Sequence, residues 1–288
     1  MRPGGLCASM AVMSVRCSIL VFCLLSLPLT ERASAQSVDL RPAFREMGLG
    51  PRRQGNRPTC SVFTVAGALE YAVAKGQGHS PRLSVEFLNW ASNKACGDTE
   101  DGGFFSDLWK GFAAYGICAE EQMPYEPKFD SSRLPSAGAL ADAKTRLALG
   151  LRLHWIKQWN VNTGLTDPEF DSVKRTLAQG WPVCGGFRWP KQEQWTEDVL
   201  QMCPSNAVRD GHSVLLAGYR DDAAQPGGGV FIFQNTSRDR VDGFMPYAYA
   251  RLYMNDAVWV DFDARASPGA AAGGRAPVPG SQRQTEPN

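Results

Sequence analysis

Residues 54–70 read QGNRPTCSVFTVAGALE, a polar loop that changes at Cys60 into an apolar segment continuing to Gly76. Thr59 is a residue type that caps the start of a helix, and Gly76 is one that ends it. Between them, apolar side chains recur at the spacing of one helix face. They are Val62, Val65, Ala66, Leu69 and Val73. The stretch predicts a buried helix whose first residue is Cys60.

The position of Cys60 favours chemistry at its thiol. A thiol attacks a carbonyl carbon as the thiolate, and a free cysteine with a pKa of about 8.5 is mostly protonated at neutral pH. The positive end of a helix dipole stabilises the thiolate, and a nearby protonated histidine stabilises it further. Cys60 is therefore the candidate nucleophile, and it requires a histidine partner.

The chain contains three histidines, so the choice of partner is small. His79 follows the predicted helix at the end far from Cys60. His154 precedes Trp155 in a segment with strand character, where a core or surface role is the default. His212 opens the apolar run HSVLLAGY, which would hold its side chain on a rigid strand. We expect His212 to be the base.

A catalytic imidazole also needs a partner that fixes its tautomer. The strand after His212 ends in FQN, and the side-chain carbonyl of Asn235 can accept the required hydrogen bond. The alternative is that Asn235 only starts a turn. An acyl-transfer site further needs donors for the developing oxyanion. The candidates are the backbone N–H of Cys60 and the side-chain amide of Gln54.

The sequence up to residue 150 is mainly helical in character, and the sequence after it contains short strands. Further helices are predicted from Ser84, across residues 105–115 and from Asp167 to Gly180. Four β-rich runs bounded by turn residues predict strands. They are WPVCGGF, HSVLLAGY, GVFIFQN and DAVWVDF. We therefore predict an α+β chain with a helical part at 36–150 and a β-rich part at 151–263.

The two ends of the chain differ from this globular part. Residues 1–35 contain two arginines before the apolar run SILVFCLLSLPL and end in the small residues ASA, which predicts a secretory signal peptide. The alternative is a membrane anchor, but the run is shorter than the roughly 20 apolar residues that cross a bilayer. Residues 264–288 are rich in Pro, Gly and Ala and predict a disordered tail.

The overall composition narrows the choice of partner and compartment. The chain has 30 basic and 29 acidic residues, so neither nucleic acid nor an anionic membrane surface is expected as the main partner. No stretch after the signal predicts a membrane span. We therefore expect a protein exported to the periplasm or the extracellular space. The sequence does not indicate its oligomeric state.

Taken together, these motifs resemble the papain-like cysteine peptidase family, in the type exported by bacteria. QGNRPTCSVFTVAGALE is similar to the family's segment from the oxyanion Gln through the nucleophilic Cys, and LSVEFLNW to its next helix start. DGGFFSDLWKGFAAYGI resembles its Asn-Gly-Gly segment, and EEQMPYEP its Glu-x-x-Tyr-Pro-Tyr stretch. GHSVLLAGYRDD, FIFQN and GFMPYAY resemble its His, Asn and Gly-Tyr strands, in that order. The resemblance covers about residues 40–262.

The resemblance implies a two-lobe fold, with a helical left lobe, an antiparallel β-barrel as the right lobe and the active-site cleft between them. It implies Cys60 as the nucleophile and His212 as the general base that then acts as acid. It also implies Asn235 as the residue that orients His212 and Gln54 as an oxyanion donor. Gly102 and Gly103 would bind the backbone of a peptide or protein substrate. No metal or cofactor is implied.

The chain departs from the family pattern in four features. Arg57 stands where the family has a disulfide cysteine, and Ser61 stands where it has an aromatic residue. No Trp follows Asn235 in the position where the family's ring shields the Asn–His bond. Only residues 36–59 separate the predicted cleavage site from the nucleophile, which implies no conventional inhibitory pro-segment.

Five cysteines would remain after signal cleavage, and an odd number suggests disulfide pairs plus one thiol with another role. Because Arg57 replaces one of the family's disulfide partners, the remaining cysteines need pairs of their own. We expect Cys96–Cys118 and Cys184–Cys203, each of which would close a short loop within one lobe.

The leading functional prediction is a cysteine-type peptidase that hydrolyses peptide bonds through a thioester acyl-enzyme. The same triad would serve an amidase or transamidase acting on cell-wall or other non-protein amides. The missing Trp and the short pro-segment would suit a catalytically degenerate binding module. Because all four catalytic positions keep their chemistry, we expect the enzyme.

Overall fold

The computed structural model describes residues 36–237 and 240–263, so the predicted signal peptide and disordered tail lie outside the described residues. Within this part the helices are α1 Arg41–Glu46, α2 Cys60–Gln77, α3 Val85–Cys96, α4 Phe105–Tyr115, α5 Ala137–Leu147, α6 Asp167–Ala178 and α7 Tyr247–Tyr253. The strands are β1 Ser37–Asp39, β2 Leu151–Lys157, β3 Val183–Pro190, β4 Trp195–Thr196, β5 Val199–Leu200, β6 Val208–Asp221, β7 Gly229–Gln234, β8 Asp242–Pro246 and β9 Met254–Phe262. The chain is thus a mixed α+β protein.

Helix α2 begins at Cys60, as predicted, and is buried along most of its length. A helix that is apolar on nearly every side belongs in a core. The predicted end at Gly76 is wrong, because α2 continues to Gln77 and Gly78 caps it in the left-handed conformation. Gly76 serves packing instead, since a Cβ at this position would lie 2.3 Å from the ring of Phe262.

The other predicted helices are confirmed, and two of them have side-chain caps. The hydroxyl of Ser84 accepts a hydrogen bond from the backbone N–H of Phe87 at 2.9 Å, which fixes the start of α3. Thr166 and Glu169 form a reciprocal capping box at the start of α6. None of the described helices is long and apolar enough to cross a membrane.

The strands form one large sheet in the order β2-β9-β3-β6-β7-β8-β5-β4, and β1 pairs with β6 outside this path. The pairings are antiparallel except for β5 with β8. The expected closed barrel is not formed among the described residues, because β2 and β4 end the path without pairing. Strands β4 and β5 contain only two residues each, so they provide too few backbone groups to close it.

Helix α2 packs against β3, β6 and β9 at the centre of the main core. The first turn of α2 therefore lies beside the strand that contains His212. A smaller core beneath α3, α4 and α5 includes Phe87, Cys118 and Ala143. The fold thus places the start of α2 at the junction of helices and sheet.

The two expected disulfides are not formed, since all five described cysteines are free thiols. Cys96 is exposed at the end of α3, whereas Cys118 is buried in the smaller core. Cys184 is buried in β3, where its thiol contacts the backbone oxygen of Thr64 at 3.6 Å, and Cys203 lies half-buried in a loop. Closeness along the chain therefore did not pair these thiols.

Candidate active site

Cys60 and His212 meet where the first turn of α2 lies against β6. Both side chains are 9% exposed, and His212 forms a side-chain hydrogen bond to Cys60. The thiol also approaches the backbone oxygen of Gly211 at 4.0 Å. The structure therefore brings the two predicted partners together, although they are far apart along the chain: Gly211, which directly precedes His212, lies 151 positions after Cys60.

Asn235 holds the imidazole from the side away from Cys60. Its Oδ1 lies 2.9 Å from Nε2 of His212, which leaves Nδ1 to face the thiol. The same oxygen accepts hydrogen bonds from the backbone N–H groups of Thr236 at 2.8 Å and Ser237 at 3.3 Å. The side chain of Asn235 therefore does both of the things considered from the sequence: it starts a turn, and it contacts the imidazole.

The surroundings of Cys60 favour its thiolate. Burial alone would raise the pKa of Cys60, but the hydrogen bond and charge of His212 and the backbone N–H groups of Ser213 and Ser61 bring it below the usual value. The pKa is raised by burial in the other four described cysteines, which are Cys96, Cys118, Cys184 and Cys203. Among the five described cysteines, Cys60 is therefore the one whose surroundings favour the thiolate.

Gln54 lies on the loop before α2 and is tied to the loop that follows Asn235. Its Nε2 donates to the backbone oxygen of Arg57 at 2.8 Å, and its Oε1 accepts from the hydroxyl of Thr236 at 2.7 Å. The backbone N–H of Gln54 donates to Thr236 O at 2.8 Å. An amide nitrogen has two hydrogens, so one remains for a ligand. The contacts hold the Gln54 amide in a fixed orientation.

Gly102 and Gly103 occupy different positions in the wall beside Cys60. Gly102 has a φ of 103°, and a Cβ there would lie 2.4 Å from the backbone oxygen of Pro58. Its N–H donates to Oδ1 of Asn89 at 3.0 Å. Gly103 is exposed and lines the cleft with Cys60, whereas Gly102 is buried behind it. Gly103 is the better placed of the two to meet a ligand.

Arg57 forms a buried ion cluster with Glu86 and Asp101, here called the Arg57 cluster. Its guanidinium donates to Glu86 at 2.6 Å and to Asp101 at 2.9 Å, and it lies 4.4 Å from the ring centre of Tyr125. Asp101 directly precedes Gly102, and Arg57 lies three residues before the nucleophile. The cluster therefore connects these two segments at the position where the family has a disulfide cysteine.

Trp189 provides an aromatic ring beside His212 that the sequence did not reveal. Its ring centre lies 4.6 Å from that of the imidazole, and the side chain is fully buried. Its indole N–H donates to Glu193 at 2.8 Å. Trp189 belongs to β3, so this ring reaches His212 from a different strand than the family's Trp. A tryptophan in a β-rich run has no local feature that distinguishes this role from core packing.

The two other histidines lie outside this site. His79 is exposed after α2. His154 is on the edge strand β2, where it pairs with Asp261 at 3.1 Å and stacks on Trp259. In the described ranges, no group of three or more His, Cys, Asp or Glu side chains is arranged to hold a metal ion.

The triad opens into a cleft of about 400 Å³. Its walls come from the segment before α2, the start of α4, the loop after β2 and the strands β3, β6 and β9. The residues that line it include Cys60, Phe104, Trp159, His212 and Asp256. The cleft can therefore admit a substrate side chain next to the thiol.

Comparison with known proteins gives a likeness in fold. No protein-family model matches the sequence, and no curated protein is significantly similar to it. Xylellain, a cysteine protease from Xylella fastidiosa, is similar with a TM-score of 0.60 and 22% identity over 79% of this chain and 86% of that chain. The digestive procathepsin L 3 of Tenebrio molitor larval midgut has a TM-score of 0.54 and 20% identity over 81% and 72%. The chain described here has a papain-like fold.

Proposed function

We propose that this chain is an exported cysteine peptidase that hydrolyses peptide bonds through a thioester acyl-enzyme. The observation that carries the proposal is the contact of Cys60 with His212, whose imidazole is held by Asn235 at 2.9 Å. The cysteine-protease neighbours in fold support a peptide or protein substrate. The signal-like residues 1–35 support export.

The chemistry follows from the roles of these three residues. The Cys60 thiolate attacks the scissile carbonyl carbon, and protonated His212 gives its proton to the leaving amine as the tetrahedral intermediate collapses to a thioester. His212 then takes a proton from water, which attacks the thioester and releases the acid product and the free thiol. Asn235 keeps the imidazole in the orientation that both steps need.

The oxyanion of each tetrahedral intermediate would be bound by the backbone N–H of Cys60 and the side-chain amide of Gln54. Donors placed for the developing charge stabilise the transition state more than the ground state. The contacts of Gln54 with Arg57 and Thr236 support this role, because they orient the amide before a substrate arrives.

Covalent labelling tests the proposal. The purified protein should react with one equivalent of an epoxysuccinyl peptide at Cys60, located by peptide mass mapping, and Cys60→Ala should not react. Cys203→Ala is the matched control, because it removes another thiol that is not fully buried, and it should label normally. A wild-type protein that does not label would favour a binding module. Labelling without cleavage of a diverse peptide library would favour an amidase or transamidase.

Replacing Gln54 with alanine should lower kcat by about 10²- to 10³-fold with little change in KM, because one oxyanion donor is lost. Steady-state kinetics on a fluorogenic peptide would measure this. The control is Thr236→Val, which removes only the hydroxyl that orients Gln54 and should have a smaller effect. An unchanged kcat in Gln54→Ala would remove Gln54 from the oxyanion site.

A further inference from the structure

The cleft beside Cys60 contains a carboxylate that the proposed hydrolysis does not use. Asp256 lies on β9, is 5% exposed, and lines the same cleft as Cys60 and His212. A buried carboxylate is unfavourable unless hydrogen bonds or a positive charge compensate for the lost water. The contacts of Asp256 therefore show whether the protein itself supplies that compensation.

The protein compensates for this carboxylate only in part. The backbone N–H of Gly186 donates a hydrogen bond to it, and the positive charge of Lys157 on β2 acts on it from a distance. The Nζ of Lys157 instead contacts Thr163 at 3.1 Å and Glu169 at 3.7 Å. Among the described residues, no basic side chain forms an ion pair with Asp256. The Asp256 carboxylate can therefore accept a cationic partner from a ligand.

Gly186 keeps the carboxylate at the surface of the cleft. A Cβ at this position would lie 1.8 Å from Oδ1 of Asp256 and 3.2 Å from Oδ1 of Asn255. Any other residue at position 186 would force the carboxylate to move. The Asp256 carboxylate therefore occupies the space in the cleft wall that a side chain at position 186 would fill.

Two exposed aromatic rings form the rim above this wall. Phe104 stands directly before α4 and is 52% exposed, and the Trp159 side chain on the loop after β2 is 49% exposed. Their ring centres are 5.2 Å apart in an edge-to-face arrangement, and both line the cleft. Aromatic faces of this kind bind methylene groups and attract cations. The rim suits a long apolar stem that ends in a positive charge.

We propose that this cleft binds a lysine or arginine side chain of the peptide substrate, with its methylene groups on Phe104 and Trp159 and its cationic end at Asp256. The proposal rests on the proposed function for the identity of the ligand as a peptide. A cleft of about 400 Å³ is large enough for one such side chain beside the scissile bond.

Binding to the Cys60→Ala variant tests this proposal without cleavage. Alanine-based peptides carrying lysine, Nε-acetyllysine or norleucine at each position in turn would be titrated by calorimetry. At one position, lysine should bind about 10- to 100-fold more tightly than norleucine, as expected for a hydrogen bond between charged groups. Acetyllysine should bind like norleucine. The lysine preference should disappear in Cys60→Ala/Asp256→Asn, while norleucine affinity stays the same.

Asp261→Asn is the matched control, because it removes a carboxylate from the same strand. Asp261 pairs with Arg152 and His154 outside the cleft, so its loss should leave the lysine preference unchanged. A lysine preference that survives Asp256→Asn, or one that no position shows, would overturn the inference.

The pH dependence provides a test that leaves Asp256 in place. Burial raises the pKa of Asp256 to about 7. The charged and titratable groups acting on it are Lys157 from β2 and Cys184 from β3, and His212 faces the same cleft. Below this pKa the carboxyl is neutral, so the ratio of lysine to norleucine affinity should rise between pH 6 and pH 8. Equal affinities for the lysine and norleucine peptides at pH 8 would contradict the proposal even if Asp256→Asn did not fold.

Parallel cleavage assays with the wild-type protein separate the two proposals. Cleavage without a lysine preference would reject the role of Asp256 and leave the peptidase intact. Absence of cleavage for every peptide would reject the peptidase, and the binding titrations would still decide the role of Asp256.

Discussion

Replacing His212 with alanine is expected to lower kcat/KM for peptide hydrolysis by about 10⁴-fold or more, because thiolate formation and proton transfer to the leaving amine both depend on it. Burial raises the pKa of Cys60, but the hydrogen bond and charge of His212, together with the backbone N–H groups of Ser213 and Ser61, bring it below the usual value. In the variant, burial remains without its main opposing contact. The pKa of Cys60 should therefore rise above that of an ordinary thiol.

The rate of alkylation by iodoacetamide as a function of pH would measure this change directly. Cys60 in the wild-type protein should react at a lower pH than Cys60 in His212→Ala. His154→Ala is the control, because His154 lies on the edge strand β2 and contacts Asp261 instead of the thiol. Identical alkylation profiles for wild type and His212→Ala would show that the imidazole does not activate Cys60.

Replacing Arg57 with methionine is expected to lower the free energy of unfolding by about 3–5 kcal/mol, because it leaves two carboxylates buried without their cation. The Arg57 side chain is 4% exposed, and so is that of Glu86. Both Glu86 and Asp101 lose short hydrogen bonds in the variant. Methionine is a long, uncharged side chain, so the loss reports mainly on the guanidinium, its ion pairs and its contact with the Tyr125 ring.

Urea unfolding followed by tryptophan fluorescence would measure the change. Arg45→Met is the matched control, because Arg45 is exposed on α1, and its unfolding free energy should change by less than about 0.5 kcal/mol. Arg57→Met/Glu86→Gln/Asp101→Asn removes the unpaired charges as well and should recover part of the stability. Equal stability of Arg57→Met and wild type would show that the cluster does not hold the fold together.

The helices could be predicted because their signals are local, and so could the residues that the structure brings together at the candidate site. Cys60 follows Thr59 and precedes an apolar periodic segment, although the Thr59 hydroxyl contacts Tyr125 instead of capping α2. Ser84 does cap α3. His212 lies in β6, and Asn235 directly follows β7, in β-rich runs bounded by turn residues. A small number of histidines then left few ways to complete the site.

Other features depend on contacts between distant segments, so the sequence could not provide them. The two predicted disulfides are not formed among the described residues, where Cys96 is exposed and Cys118 is buried, and where Cys184 is buried and Cys203 is half-buried. Gly76 was predicted to end the helix, but the structure requires a glycine there because the ring of Phe262 packs against it. Trp189 and Asp256 approach the site only through sheet pairing, and no neighbouring residue in the sequence indicates it.

The assembly of the triad from three separate elements has a consequence for how folding can be observed. Cys60 comes from α2, His212 from β6 and Asn235 from the end of β7, so the acidic thiol exists only after helix and sheet have docked. An incompletely folded chain would carry only thiols of ordinary reactivity. Alkylation at a pH where Cys60 of the folded protein reacts and ordinary thiols do not therefore counts native molecules, and it offers a refolding assay that needs no substrate.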